Sequence, residues 1–400
     1  MKVPQLIHSP RLWPAHGKER RVTWMELFFD LIFVAAVAQV GTPLEHGYTV
    51  AGLLRYAFLF VLIWWAWIGH TLFSTRFNAD DLVQRILVLV QSFVAAVMAA
   101  NAKEGLDSRS SAGFGAAYAG IRVVLVLQYL RARRIPETRR LTTHYAIGFS
   151  LAAALWVTSA FLDAPERYWV WAIALLVDVA TPWLAMNHSM KVPPDAAHYP
   201  ERVGLFTIIL LGEFVAGVMR GIESQEDWTL SAASTAFMGM GFAFTVFWWY
   251  FDASNSSGER HVKTRMQAWL FEVWSFAHLP LFVGLGVAGV GFHRMITTAL
   301  KGPLASPDAQ IMSGAAFAVM ISLAVIAATA QEAHGLRKAL RTLRSQAALA
   351  AVVSLTAACI PLQPAILAAG FLSACIAQTT LARRQKLKLE TRSEVIEVGS

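Results

Sequence analysis

Twelve apolar stretches of about twenty residues, the length that carries an α-helix across the hydrocarbon core of a bilayer, punctuate this 400-residue chain. They lie near residues 22–41, 51–73, 82–101, 112–130, 142–162, 168–187, 203–222, 229–251, 267–291, 308–331, 345–362 and 364–382. Composition agrees: 56% of residues are hydrophobic, 15% are charged and the mean hydropathy is +0.49, far too apolar for an ordinary soluble domain. Lipid offers no hydrogen bonds to a backbone, and helices satisfy their own. The expected fold is therefore an all-α polytopic membrane protein with about twelve transmembrane helices. Pro361 and Pro364 leave open whether the last two segments form a tight hairpin or one bent span. The opening residues lack a short apolar core ahead of a small-residue cleavage site, so no signal peptide is expected.

Basic residues set the orientation. With the N-terminus in the cytoplasm, most of the 34 Lys and Arg residues fall in cytoplasmic segments, notably Arg131, Arg133 and Arg134 with Arg139 and Arg140, Arg337 and Lys338 with Arg341 and Arg344, and the tail Arg383, Arg384, Lys386 and Lys388. External loops such as 163–166 and 223–227 lean acidic. The expected location is the bacterial cytoplasmic (inner) membrane, multi-pass, with both termini cytoplasmic. The net charge of +8 then belongs to a rim that meets anionic headgroups, so the lipid bilayer is the expected partner and nucleic acid is not. Cys359 and Cys375 both sit in apolar runs, which excludes a disulfide scaffold and a CxxC motif. Without a Walker loop, a GxGxxG turn or an HExxH pair, no cofactor or metal is expected and ATP-driven pumping is disfavoured.

The two halves echo each other. Arg21-Val22 opens the first span and Arg202-Val203 the seventh; Trp64-Trp65 matches Trp248-Trp249, and Ser92-Phe93 matches Ser275-Phe276, all at nearly constant offset. Six helices return the chain to its starting side, so the expected architecture is two parallel six-helix repeats, residues 1–195 and 196–400. The linker from Met190 to Pro200 carries three prolines, which discourage helix continuation.

Ionisable residues inside these spans are the candidate functional groups, because hydrocarbon penalises an embedded charge by roughly 2.5–3.5 kcal/mol on insertion scales. Glu26 and Asp30 lie four apart on one helical face, with Thr23 on the same stripe. Asp178, Glu213, Asp252 and Glu272 follow in later spans, with Arg122 as the one clearly embedded base and His70 and His278 as titratable partners. Such an acid excess needs protons, a bound cation, water or a cationic substrate. Each residue also has a plainer reading. Glu26 and Asp30 could only complement a helix N-terminus, and Glu213 could be a protonated acid bonded across a helix interface. Asp178 near Pro182, and His278 near Pro280, could mark broken spans lining an ion path or mere kinks. Arg122, centred in its span, is expected to pair with an acid on another helix. The paired tryptophans read as interfacial belts or packing anchors.

The segment Arg21-Val-Thr-Trp-Met-Glu-Leu-Phe-Phe-Asp30, continuing to Gln39, resembles the opening motif of the bacterial low temperature requirement protein A family. The resemblance continues at Glu201 to Glu213, Trp248-Trp-Tyr-Phe-Asp252 and Ala277-His-Leu-Pro-Leu-Phe-Val-Gly284, in order and across most of the chain. It implies a polytopic bacterial membrane protein linked to growth at low temperature, a stress response, and supplies no reaction or substrate.

Three functions fit these residues. The leading expectation is a secondary transporter or proton-coupled permease with a polar site between two helical repeats, formed from Glu26, Asp30, His70, Arg122, Asp178, Glu213, Asp252 and His278, for an unknown small-molecule, ion or lipid substrate. An intramembrane enzyme acting on a lipid or amphipathic substrate would use Glu26, Asp30 and His70 as acid-base groups. A non-catalytic scaffold or sensor would use the polar residues for packing alone.

Overall fold

The structure is a computed structural model that describes residues 10–12, 22–79, 81–226, 229–253, 258–262, 264–299, 302–330 and 336–398. Arg21 and Asp227 lie outside the described residues, as do the opening segments 1–9 and 13–21 and the side chains of Arg337, Lys338, Arg341, Lys386 and Lys388.

Helices occupy the apolar segments: α1 Trp24–His46, α2 Val50–Arg76, α3 Leu82–Ala102, α4 Ser108–Ala132, α5 Arg139–Ser159, α6 Glu166–Leu184, a one-turn α7 Met186–Ser189, α8 His198–Glu223, α9 Leu230–Trp248, α10 Arg265–Thr297, α11 Ser306–Ala330, α12 Leu336–Cys359 and α13 Pro364–Val398. A two-residue antiparallel pair, β1 Arg11–Leu12 with β2 Phe77–Asn78, is the exception to the all-α expectation among the described residues. Nine described helices are long and apolar enough to cross a membrane: α1 to α4, α8, α9 with the turn that follows it, α10, α11 and α13. The helices α5, α6 and α12 fall short of that measure, and the apolar part of α12 is the shorter stretch Leu343–Cys359.

Proline positions resolve two expectations. The chain breaks after Cys359 and restarts at Pro364, giving two helices rather than one bent span. By contrast, α10 runs on through Pro280 and α6 carries Pro182 inside its last turn, so neither span is broken. Proline removes one backbone donor, and a helix buried by its neighbours tolerates that loss.

Contacts divide the chain into two units. The first comprises residues 1–43, 58–202 and 259–262, and the second 44–57, 203–258 and 263–400. In the first, α3 packs on α4, α4 on α5 and α5 on α6. Its core includes Phe73, Phe77, Tyr129, Tyr145 and Phe149, with the Tyr129 ring edge-on to Phe73 at 5.2 Å and to Tyr145 at 5.0 Å. In the second, α10 packs on α11, α11 on α12, α12 on α13, and α9 on both α10 and α13. There α8 and α10 cross at Gly217 and Gly289. A Cβ on Gly217 would stand 2.8 Å from the Gly289 carbonyl oxygen, so this approach requires glycine.

Large apolar side chains also face outward. Leu89, Phe93 and Val97 form an exposed stripe on α3, and Phe237, Met240, Phe244 and Phe247 form another on α9. Outward apolar stripes at helical spacing are what a helix presents to lipid.

Candidate functional site

The first buried centre forms where the start of α1, the end of α2 and the start of α8 meet within the first unit. Thr23 precedes α1. Its amide and hydroxyl donate to Glu26 Oε2 at 2.9 and 3.0 Å, while the Glu26 amide donates back to the hydroxyl at 3.3 Å. This reciprocal cap starts the helix and fixes the Glu26 carboxylate. One turn on, Asp30 is wholly buried and accepts from Trp67 Nε1 at 2.7 Å.

Arg202, also wholly buried, joins the two acids. Its Nη2 and Nε donate to Asp30 Oδ1 and Oδ2 at 2.6 and 3.1 Å, a fork-on-fork pair. Its Nη1 lies 3.2 Å from Glu26 Oε1 and donates to Ser74 Oγ at 3.3 Å. One turn before Arg202, His198 sets its Nε2 3.4 Å from Glu26 Oε2. His70 is buried beside them on α2, its ring 4.2 Å from that of Phe29, and it faces Gln91 and Gln128.

The second centre surrounds Arg122 on α4. Its Nε donates to Asp178 Oδ2 at 2.9 Å and its Nη2 to Tyr118 Oη at 2.6 Å and to the Trp65 carbonyl at 3.2 Å. The guanidinium lies over the Tyr118 ring, 4.9 Å from its centroid. Arg122 therefore pairs with an acid on another helix, and Asp178 is that acid. Helix α2 serves both centres from opposite faces: Trp67, His70 and Ser74 line the first, while Trp65 and Gly69 meet Arg122.

Gly69 is the tight point. A Cβ there would stand 2.8 Å from Arg122 Nη1 and 3.1 Å from Leu125 Cδ2. Gly69→Ala should cost about 1–3 kcal/mol by overpacking, read as a lower thermal midpoint in detergent.

The remaining candidates belong to the second unit and have their own partners. Glu213 shares Arg220 Nη2 with Glu45, at 3.2 and 3.1 Å, and the arginine is 42% exposed. Asp252 lies in a π-helical turn, Trp249–Ala253, where its half-exposed carboxylate accepts from Trp248 Nε1 at 2.9 Å and stands 3.8 Å from Arg383 Nε. His278 donates from Nδ1 to the Trp274 carbonyl at 2.7 Å, and its Nε2 lies 2.9 Å from the Tyr250 hydroxyl. Glu272 is half-buried. Among the described residues no group of three or more His, Cys, Asp and Glu side chains is arranged to hold a metal ion.

Arg122 is not the one embedded base. Arg202, Arg76 and Arg167 are buried too. Arg76 donates to the Val192 carbonyl and Ser189 Oγ, and Arg167 to the Ser159 and Leu162 carbonyls and Ser111 Oγ, so these two tie off loop and helix ends. Arg202 sits against the carboxylates of Glu26 and Asp30.

The sequence model of the family described as Bacterial low temperature requirement A protein (LtrA) matches residues 21–382. An uncharacterised protein of Rhizobium meliloti (strain 1021) is 26% identical over 298 residues, a span covering 71% of this chain and 72% of that protein.

Proposed function

Because the chain belongs to the bacterial low temperature requirement A protein family, we propose that this integral membrane protein is a secondary transporter or proton-coupled permease whose ion-binding centre is the Glu26, Asp30 and Arg202 cluster. One observation carries the reading. Two buried carboxylates meet on the Arg202 guanidinium, and among these three side chains negative charge exceeds positive by one, a surplus that a further cation would balance. A group kept solely for packing gains nothing from that surplus; a site that takes up and releases a cation needs it.

The other assignments follow. Arg122 with Asp178 is a charge-neutral pair and acts as a staple for α4 and α6. Glu213 and Asp252 are partnered by exposed arginines, and His278 by a tyrosine and a carbonyl, which suits structural roles. The matching order of neighbours, α3 to α6 in one unit and α10 to α13 in the other, supports twelve spans arranged as two six-helix repeats divided near residue 195. The basic bias supports an inner-membrane location with cytoplasmic termini, and the family's name supports a role in growth at low temperature.

The test is proton movement in liposomes loaded with a pH-sensitive dye and challenged with a panel of cations, amino acids and organic acids. Wild-type protein should acidify or alkalinise the lumen with at least one solute, and Asp30→Asn, folded by size exclusion, should fall to background. Wild-type flux that survives Asp30→Asn removes the proposal.

A further inference from the structure

We propose that the ion bound at this centre is a proton rather than a metal cation, and that His198 carries it against Glu26. The inference deepens the transport reading and rests on it for its functional meaning, although the protonation itself is measurable without any flux.

A hard cation such as sodium binds to oxygen lone pairs, and in transporters it is commonly held by carbonyls of an unwound helix. Both sources are reduced here, although Asp30 Oδ2 and Glu26 Oε1 each keep one lone pair beyond the donor they face. All four carboxylate oxygens already face N–H or O–H donors: Asp30 Oδ1 takes Arg202 Nη2 and Trp67 Nε1, and Asp30 Oδ2 takes Arg202 Nε. Glu26 Oε1 faces Arg202 Nη1, and Glu26 Oε2 takes the Thr23 amide and hydroxyl. Helix α1 is continuous through both acids, so it frees no carbonyl beside them.

A proton needs only one site, and His198 Nε2 stands 3.4 Å from Glu26 Oε2. Protonated, that nitrogen becomes a donor aimed at a carboxylate, and the cluster then holds two anions and two cations. A neutral ring can still donate from its Nε2–H tautomer, but it adds no charge, and the cluster then keeps its surplus anion in a buried setting. The other charged and titratable groups around the ring divide in sign. Arg202, one turn on along α8, opposes a second positive charge; Glu26 and Asp30 on α1 favour it. Asp195, whose Oδ1 accepts from the amides of Ala197 and His198 at 3.0 and 2.8 Å, favours it too. His70, on α2, shares the field of Glu26 and Arg202.

The experiment uses full-length protein in nanodiscs with ¹⁵N-labelled histidine, and His198→Gln to assign one signal among the chain's 11 histidines. At neutral pH the His198 signal should be that of an imidazolium. Glu26→Gln should convert it to a neutral ring, and Glu26→Asp, which keeps the charge, should retain the imidazolium and guard against a misfolded variant. Added sodium should leave the signal unmoved. A neutral His198 in wild type, a signal indifferent to Glu26→Gln, or displacement of the proton by sodium overturns the proposal. An imidazolium in a protein that moves no protons into liposomes would instead uphold this inference and defeat the transport reading, so the two fail separately.

Discussion

Arg202→Ala should be among the most damaging single substitutions in this chain, with a loss of about 3–5 kcal/mol in stability. The substitution leaves Glu26 and Asp30, one helical turn apart and both buried, without the guanidinium that touches each of them. Trp67, Thr23 and His198 still face them, but two carboxylates then outnumber the one remaining cation, and relieving the surplus by proton uptake at neutral pH itself costs stability. Arg202→Lys should lose less than alanine and more than nothing, because an ammonium restores the charge without the fork that grips both Asp30 oxygens. The decisive variant is Arg202→Ala combined with Asp30→Asn. If the damage comes from unpaired charge, the second change should recover part of the loss, and thermal unfolding in detergent would show the double variant melting above Arg202→Ala. Equal melting of the two would place the damage in lost packing volume instead.

Why Arg202 escapes a reading of the sequence is instructive. It heads an apolar span next to a proline-rich linker, where the positive-inside bias already accounts for an arginine. Only α8 beginning at His198, four residues before it, carries the side chain into the helix and turns it toward α1. The i, i+4 spacing of His198 and Arg202 was the available signal, together with the acid surplus that demanded a second base. Glu213, eleven residues beyond Arg202, keeps 23% exposure and has a partner on its own helix, Arg220, seven residues on. The tryptophans were legible as anchors but not as donors: Trp67 bonds Asp30 only because α2 lies against α1, and no spacing within either helix reveals that. The helix positions themselves were plain, since bilayer thickness sets the length of an apolar run. Arg122 was plain for a similar reason, because a guanidinium centred in a span needs a partner. That the partner is Asp178 depends on the packing of α4, α5 and α6.

For the Arg122 and Asp178 pair, the two single deletions should differ. Asp178→Leu leaves a guanidinium that cannot shed its charge, wholly buried and facing the Tyr118 hydroxyl, the Trp65 carbonyl and the Tyr118 and Phe149 rings without a counter-charge from Asp178, and should lose about 3–5 kcal/mol. Arg122→Leu leaves a carboxyl group, which can take up a proton and become neutral, so its loss should be smaller. Replacing both with leucine removes both charges at once. Buried ion pairs exchanged for apolar side chains of similar volume are often neutral or stabilising, so the double variant should melt closer to wild type than Asp178→Leu does. Dye-loaded liposomes then separate stability from activity. If the pair is a staple, a folded double variant keeps its proton movement while Asp30→Asn loses it. If the double variant folds and is silent, Arg122 belongs to the working centre, and the ion path runs along both faces of α2.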